Sequence, residues 1–304
     1  MVNTMSLDTA YILGAGLGTR MGPVGEKLPK LLWPVYEKSL LELQLSYALK
    51  LGIKKVYLNT HFQAQVIQDF VHKHDVDVEI LHEEELLDIG GAVHNLANKL
   101  NYRGKILILN GDQFLMFVEK QFKEFVDISQ KYVATLMGLE VSDQYNELVL
   151  NDNLLAGIES SKSNSKYYTY SGVSIINLDL LKPVAGKTKF FESVANFKND
   201  EIYVYRPTDY EYWDFGTTAR YLNSMREVML SKESRFYKFL LDSKAIDQSK
   251  LLPNNCYNAK GEEFSINLTD TPSQPGFGNI VFDGQDSLFE KENVVVMGES
   301  ISKV

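Results

Sequence analysis

A single cysteine, Cys256, stands in the 304 residues. That excludes an intrachain disulfide and a cysteine-rich zinc centre, and it fits a reducing compartment. A basic excess is also missing: 31 Lys and Arg face 40 Asp and Glu, for a net charge of −9. Such a chain is a poor partner for DNA or RNA, although a small anion needs only a local positive pocket. No run approaches the roughly 20 apolar residues of a membrane-spanning helix. The opening "MVNTMSLDTAYIL" has neither a basic stretch nor an apolar run of signal-peptide length. A cytoplasmic protein with no nucleic-acid or membrane partner is therefore expected. What remains is an ordinary globular composition, 44% hydrophobic and 23% charged, in a chain long enough to bury a sizeable core.

Short apolar runs alternate with amphipathic stretches through the first 230 residues. Strands are expected at "AYILGAG" (10–16), "KKVYLNT" (54–60), "DVEILHE" (77–83) and "KILILNGD" (105–112). Helices are expected at "SLLELQLSYALKLGI" (39–53) and "QAQVIQDFVHKH" (63–74), and another begins after two glycines at "GGAVHNLANKL" (90–100). This β–α–β–α–β–α–β order predicts an α/β protein, a parallel sheet with helices on both faces. The pattern then becomes mixed: strands at 132–141, 167–177 and 201–207, a hairpin at 147–160, a short helix starting in 178–184 and a helix at 218–231. Turn formers crowd 232–304, which reads as a C-terminal accessory segment carrying two short strands. Residues 1–231 form the expected main domain.

The stretch "AYILGAGLGTRMGPVGEKLPK" (10–30) follows its strand with glycines and then spaces an Arg and a Lys between prolines. Glycines there let backbone N–H groups approach phosphates closely. A dinucleotide loop needs G-x-G-x-x-G, and the third position holds Thr19 or Met21 depending on the starting glycine. A P-loop needs a Gly-Lys pair, which is absent. An Arg offers a planar fork for phosphate oxygens and a Lys a point charge, so this loop is suited to a triphosphate.

Read whole, Gly16-Leu17-Gly18-Thr19-Arg20-Met21 with Pro29-Lys30 resembles the G-x-G-T-R-[ML]…P-K signature of the sugar-1-phosphate nucleotidyltransferases. "ILILNGDQF" (106–114) resembles the family's apolar strand ending in N-G-D, and "YWDFGTTARYL" (212–222) resembles W-x-D-x-G-T-x-x-R-L. "HEEELLDIGGAVHNL" (82–96) is similar to the acidic, G-G-A segment that borders the base, although a helix N-cap with surface glutamates would read the same way. "YYTYSGVSIIN" (167–177) resembles the family's F-T-F-S-G-I-S strand.

The resemblance covers roughly residues 10–230. It implies a Rossmann-like mixed, mainly parallel sheet and an enzyme that joins an NTP to a sugar 1-phosphate, with Mg²⁺ (or Mn²⁺) as cofactor. It assigns Arg20 to the β/γ-phosphates, Lys30 to the α-phosphate, and Asp112 and Asp214 to the metal. Leu13, Gly14, Ala15, Gly16, Gly18, Thr19, Glu84, Gly90, Gly91, Asn110 and Gly111 would line the nucleotide. Asn59, His61, Gly138, Glu159, Ser171 and Gly172 are candidates for the sugar phosphate. The E-K-P lysine of many bacterial members is missing, which leaves Lys162 and Lys166 as substitutes. Compact members acting on N-acetylmuramate 1-phosphate share that lack and resemble this sequence closely around 59–70. UTP with an N-acetylhexosamine-type 1-phosphate is the first expectation, and GTP with mannose or heptose 1-phosphate the second. A non-catalytic paralogue that binds a nucleotide sugar is the other reading, opposed by the presence of all four charged residues. The Glu83-Glu84-Glu85 run is expected in solvent, apart from a contact of Glu84 with the base.

Overall fold

The structure, a computed structural model, describes residues 7–142, 145–160, 165–248, 257–260, 263–268, 279–283, 294–297 and 299–303. The chain begins β1 (Thr9–Leu13), α1 (Gly22–Lys27), β2 (Pro34–Val35), β3 (Lys38–Ser39), α2 (Leu40–Lys50), β4 (Lys55–Thr60), α3 (Ala64–Lys73), β5 (Glu79–His82), α4 (Asp88–Lys99) and β6 (Lys105–Asn110). It continues through β7 (Gln113–Phe117), α5 (Glu119–Ile128), β8 (Ala134–Val141), β9 (Glu147–Asn151), β10 (Leu154–Glu159), β11 (Tyr167–Asn177), α6 (Phe190–Ser193), β12 (Ile202–Tyr205), β13 (Tyr210–Asp214) and α7 (Thr218–Leu230). The C-terminal segment holds α8 (Arg235–Asp242), β14 (Tyr257–Lys260), β15 (Glu263–Asn267), β16 (Ile280–Asp283), β17 (Val294–Met297) and β18 (Ser300–Lys303).

Nine strands form one sheet in the order β5-β4-β1-β6-β11-β8-β12-β10-β9. The four strands on the N-terminal side are mutually parallel, and β11 turns antiparallel against β6. Alternate residues of the central strands feed two cores. Ala10, Ile12, Leu107 and Leu109 join the core that includes side chains of α2, α3, α5, α7 and α8. Tyr11, Ile106 and Ile108 join the core of α4 and α6. Burial on both sides is why "KILILN" carries only apolar residues, Ile106 to Leu109, between Lys105 and Asn110.

Local chemistry fixes the helix ends. Ser39 and Glu42 form a reciprocal capping box on α2: Glu42 N donates to Ser39 Oγ at 3.2 Å, and Ser39 N donates to Glu42 Oε2 at 2.9 Å, an arrangement worth about 1 kcal/mol. Thr217 Oγ1 caps α7 by accepting from Arg220 N at 3.2 Å. On α8, Ser234 caps Tyr237 N, and the Glu211 carboxylate takes the N–H groups of Arg235 and Phe236.

The sequence expectations do not include α1, β2, β3, α5 or α6, and they differ from the structure at four further points. α4 starts at Asp88, so Gly90 and Gly91 lie inside the helix rather than ahead of it. Residues 178–180 form a turn and not the start of a helix: Leu180 N and Leu181 N each bond back three residues, and Pro183 stops continuation. β7 pairs with β13 in a separate two-stranded ribbon that periodicity over so few residues does not announce. The segment expected to hold two short strands contains α8 and five described strands, which form a second sheet in the order β14-β15-β16-β17-β18. Phe236, Phe239 and Leu240, spaced for one helical face, seat α8 against Phe114 and the rest of the larger core.

Candidate active site

β1 ends at Leu13, and the chain must leave a crowded sheet rim. A Cβ on Gly14 would stand 2.5 Å from Leu31 Cδ1 and 2.9 Å from the Asn59 carbonyl, so only glycine fits. Gly16 is different: nothing lies within 4 Å of its Cβ position. Its bareness serves no packing contact in the chain, and a ligand can approach its backbone. Gly18 takes φ +67 and starts a tight turn over Thr19–Met21, after which α1 begins with Pro23 in its first turn.

A cleft of about 280 Å³ opens at the carboxyl ends of β1, β4 and β6, where the strand order reverses and α/β sheets hold their ligands. The glycine-rich loop contributes Leu13, Gly14, Ala15, Gly16 and Arg20 to its wall, and the P-K segment contributes Lys30. β4 contributes Asn59, and the end of β6 contributes Asn110, Gly111 and Asp112. Lys30 Nζ is ion-paired with Asp112 Oδ2.

Asp112 and Asp214 are both buried, at 8% and 7% exposure. The β7–β13 ribbon brings them together: Phe215 N donates to Asp112 O at 2.8 Å, directly after Asp214 pairs with Gln113. A Cβ on Gly216 would stand 2.9 Å from Asp214 Oδ1 and 3.0 Å from Asp112 Oδ2, so the two oxygens are no farther apart than those distances laid end to end. Asp214 Oδ2 accepts from Tyr145 OH at 2.8 Å, Arg220 Nη1 at 3.0 Å and Gln113 Nε2 at 3.4 Å. Asp214 Oδ1 accepts from Gly216 N at 2.7 Å. Burial, reinforced by the Asp214 charge, raises the Tyr145 phenol well above its ordinary pKa, so it remains a proton donor to that carboxylate. Two hard oxygen donors at one point suit a cation of the Mg²⁺ type, which takes one or two carboxylates and completes its shell with phosphate oxygens. Among the described residues, no group of three or more His, Cys, Asp and Glu side chains could hold a metal ion.

Glu83 was expected in solvent and is 2% exposed. Its Oε1 accepts from Asn59 Nδ2 at 2.7 Å and its Oε2 from Leu87 N at 3.0 Å. Asn59 Oδ1 in turn accepts from Gly14 N at 2.6 Å. A buried carboxylate thus fixes the start of the glycine-rich loop through one amide. Its sequence signal was the position just past a strand's carboxyl end, hidden by the two exposed glutamates that follow. His61 Nδ1 lies 2.9 Å from the Glu83 carbonyl, a local bond.

Other expected residues lie elsewhere. Glu84 is exposed and outside the cleft wall. Gly90 and Gly91 face the 186–193 segment: a Cβ on Gly90 would meet the Lys189 carbonyl at 2.5 Å, and Gly91 N donates to Thr188 O at 3.0 Å. Close helix–loop packing accounts for both glycines, and the Gly91 amide is not free to read a base. Gly138 pairs with Tyr170 inside the sheet and abuts Val204. Gly172, at φ +82, faces Asn110 and Gln113, whose amides bond each other at 2.7 Å beside Asp214. Ser171 is buried and accepts from Val173 N. Glu159 pairs with Glu147 at the sheet edge. Lys166 is exposed and ion-paired with Glu140 at 2.6 Å. Lys162 and Cys256 lie outside the described residues.

The chain is similar in sequence and in fold to known proteins. The D-glycero-alpha-D-manno-heptose 1-phosphate guanylyltransferase of Aneurinibacillus thermoaerophilus is 26% identical over 184 residues, 60% of this chain and 80% of that protein. The protein of the same name from Campylobacter jejuni is also 26% identical over 184 residues, 60% of this chain and 81% of that protein. The crystal structure of HddC from Yersinia pseudotuberculosis complexed with GMP-PN superposes with a TM-score of 0.62 at 24% identity, covering 73% of this chain and 99% of that one. The profile of the nucleotidyl transferase family matches residues 9–147, the segment that builds the glycine-rich loop, Lys30 and Asp112, and over that segment this chain is similar to the nucleotidyl transferase family.

Proposed function

We propose that this chain transfers a nucleotidyl group from an NTP to a sugar 1-phosphate, giving an NDP-sugar and pyrophosphate. One observation carries the reading: the glycine-rich loop, Arg20, Lys30 and Asp112 share a single cleft, and Asp214 adjoins Asp112 across the β7–β13 ribbon. An oxygen of the sugar phosphate attacks the α-phosphorus, a new P–O bond forms, and the bond to the β-phosphate oxygen breaks as pyrophosphate leaves. The attacking oxygen is already ionised, so no general base is required. Positioning and charge neutralisation then carry the rate. Arg20 holds the β/γ-phosphates, Lys30 faces the α-phosphate, and the open backbone around Gly16 lies along the phosphate chain. Asp112 and Asp214 would hold a divalent cation, Mg²⁺ or Mn²⁺, which supplies neutralisation of phosphate charge. Arg220, beside Asp214, is a third cation near the reacting centre and a better-placed partner for the sugar phosphate than the exposed Lys166.

GTP with a heptose or mannose 1-phosphate moves ahead of UTP with an N-acetylhexosamine-type 1-phosphate. The relatives' names favour it, and so does Asp88, which lines the cleft with Leu86 and Ile89. A carboxylate can accept both N–H groups of the guanine edge, whereas uracil offers a single N–H there. The test is a pyrophosphate-release assay on the purified protein with magnesium, crossing GTP and UTP with heptose, mannose and N-acetylhexosamine 1-phosphates. Turnover with at least one pair is expected. Nucleotide-sugar binding without pyrophosphate release from any pair would make the protein a non-catalytic paralogue.

A further inference from the structure

The C-terminal sheet meets the glycine-rich signature through one buried side chain. The Ser302 hydroxyl donates to Met21 O at 2.5 Å and accepts from Val24 N at 3.0 Å. Met21, the residue that precedes α1, supplies no side-chain cap, so a residue 278 positions downstream satisfies a first-turn amide of that helix. Gly22 is fitted to the same contact: its φ is +63, and a Cβ there would stand 2.9 Å from Ser302 Oγ and 3.5 Å from Ser302 Cα. A second contact comes from Phe282 on β16, whose ring meets Trp33 edge-on at 5.2 Å and Tyr221 at 5.9 Å. Ile266, Ile280 and Val295 of the same sheet are buried in the larger core.

These contacts fall beside the cleft cations Arg20 and Lys30 and beside Arg220, the partner of Asp214. Met21 follows Arg20, Trp33 N closes the turn on the Lys30 carbonyl at 2.9 Å, and Tyr221 follows Arg220. One sheet therefore touches the backbone just after Arg20 and, through the Phe282 ring, the side chains of Tyr221 beside Arg220 and of Trp33 three residues on from Lys30. HddC is matched over 99% of its length by 73% of this chain, so this chain carries more than that fold uses.

We propose that the C-terminal sheet is a positioning element for the phosphate-binding cations, with Ser302 the positioning residue for Arg20. The proposal rests on the reading of residues 14–21 as the triphosphate loop. Arg20 is exposed, and a guanidinium on a single tight turn, Thr19–Met21, with solvent around it has many placements unless that turn is anchored. Tying the next residue to a packed strand removes most of them before nucleotide arrives, which lowers the ordering cost of binding. By reciprocity, bound nucleotide must hold the sheet more firmly in place.

The test uses the full-length chain. Equilibrium binding of GTP and UTP, and steady-state kinetics with the best substrate pair, are measured for wild type, Ser302→Ala and Ile301→Ala. Ile301 lies on the same strand and packs against Val281, Val294 and Val296 away from α1. Ser302→Ala is expected to raise the nucleotide Kd and KM by about tenfold while the KM for the sugar phosphate stays within about twofold. Ile301→Ala is expected to leave both constants near wild type, even where it lowers the melting temperature. Equal nucleotide Kd values for wild type and Ser302→Ala would overturn the proposal, as would a fall in active fraction common to both variants with no change in KM. Hydrogen exchange on wild type needs no variant: saturating nucleotide should slow exchange in 300–303 as well as in 14–24. Protection confined to the loop would refute the coupling. If wild type binds neither nucleotide, the triphosphate reading itself fails, which is a different result from equal binding by the variant.

Discussion

Lys30 Nζ and Asp112 Oδ2 are paired across the floor of the cleft, so without substrate the proposed α-phosphate ligand neutralises the proposed metal ligand. Substrate and cation together must part them and give each a new partner of opposite charge. Removing either member should therefore damage the same step. Lys30→Met and Asp112→Asn should each lower turnover by about 100- to 1,000-fold, the usual range for one group that stabilises transition-state charge. The double variant should be little worse than the worse single, because both act on one phosphorus atom. Losses that multiply in the double variant would show that the two groups work independently.

Asp214 is held by more donors than Asp112, and they are not equivalent. Arg220 contributes a charge as well as a hydrogen bond, while Tyr145 contributes a hydrogen bond alone. Arg220→Gln should thus cost more in kcat/KM than Tyr145→Phe. A hydrogen bond to a charged group contributes about 1.5–3 kcal/mol, so Tyr145→Phe should lose about tenfold to a hundredfold. Burial and the neighbouring carboxylate both raise the phenol pKa, so its proton stays on as pH climbs through the ordinary tyrosine range. The log kcat/KM profiles of wild type and Tyr145→Phe should accordingly run parallel between about pH 6 and 9. An alkaline fall present in wild type and abolished in Tyr145→Phe would contradict this placement.

Glu83 makes an indirect claim on nucleotide binding, since it reaches the loop through Asn59. Glu83→Gln replaces one carboxylate oxygen by an NH₂ that must face either Asn59 Nδ2 or Leu87 N, both donors. An unmade buried bond costs about 1–3 kcal/mol. Melting temperature should fall, and the nucleotide KM should rise more than the sugar-phosphate KM. An unchanged nucleotide KM in a folded Glu83→Gln protein would confine the residue to a structural role.

The contrast between Glu83 and Asp112 shows what the sequence could reveal. Asp112 lies two residues past β6, whose residues 106–109 are wholly apolar, so a carboxylate there breaks a strong pattern. The same logic made the β1–α–β4 layers and the glycine-rich loop legible, because periodicity and turn chemistry are local. Glu83 sits in a run of three like residues, and nothing local tells which one turns inward. That depends on Asn59, a strand away, needing an acceptor. Gly90 and Gly91 misled for the reverse reason. Bare backbone serves ligand approach and close packing equally well, and only the segment at 186–193 shows which demand they meet. Ser302 lay furthest from view, since its partners Met21 and Val24 are separated from it by nearly the whole chain.

The proposed preference for guanine rests on Asp88, which enters the cleft wall at the first residue of α4 with φ +57. Its carboxylate is 38% exposed and lies 3.8 Å from Lys187 Nζ, a loose contact that a ligand can replace at little cost. Guanine would satisfy both carboxylate oxygens with adjacent N–H donors, the arrangement that gives the stronger charge-assisted bonds. Asp88→Asn keeps the size and one acceptor but presents an NH₂ to the second donor. It should lower kcat/KM for GTP by about 10- to 100-fold while moving the value for UTP little, so the ratio of the two falls by the same factor. Asp88→Ala, which removes the mismatch along with the acceptor, should lose less discrimination than Asp88→Asn. If both variants keep the wild-type ratio, the base is read elsewhere on the cleft wall, and the backbone between Glu83 and Leu87 becomes the place to look.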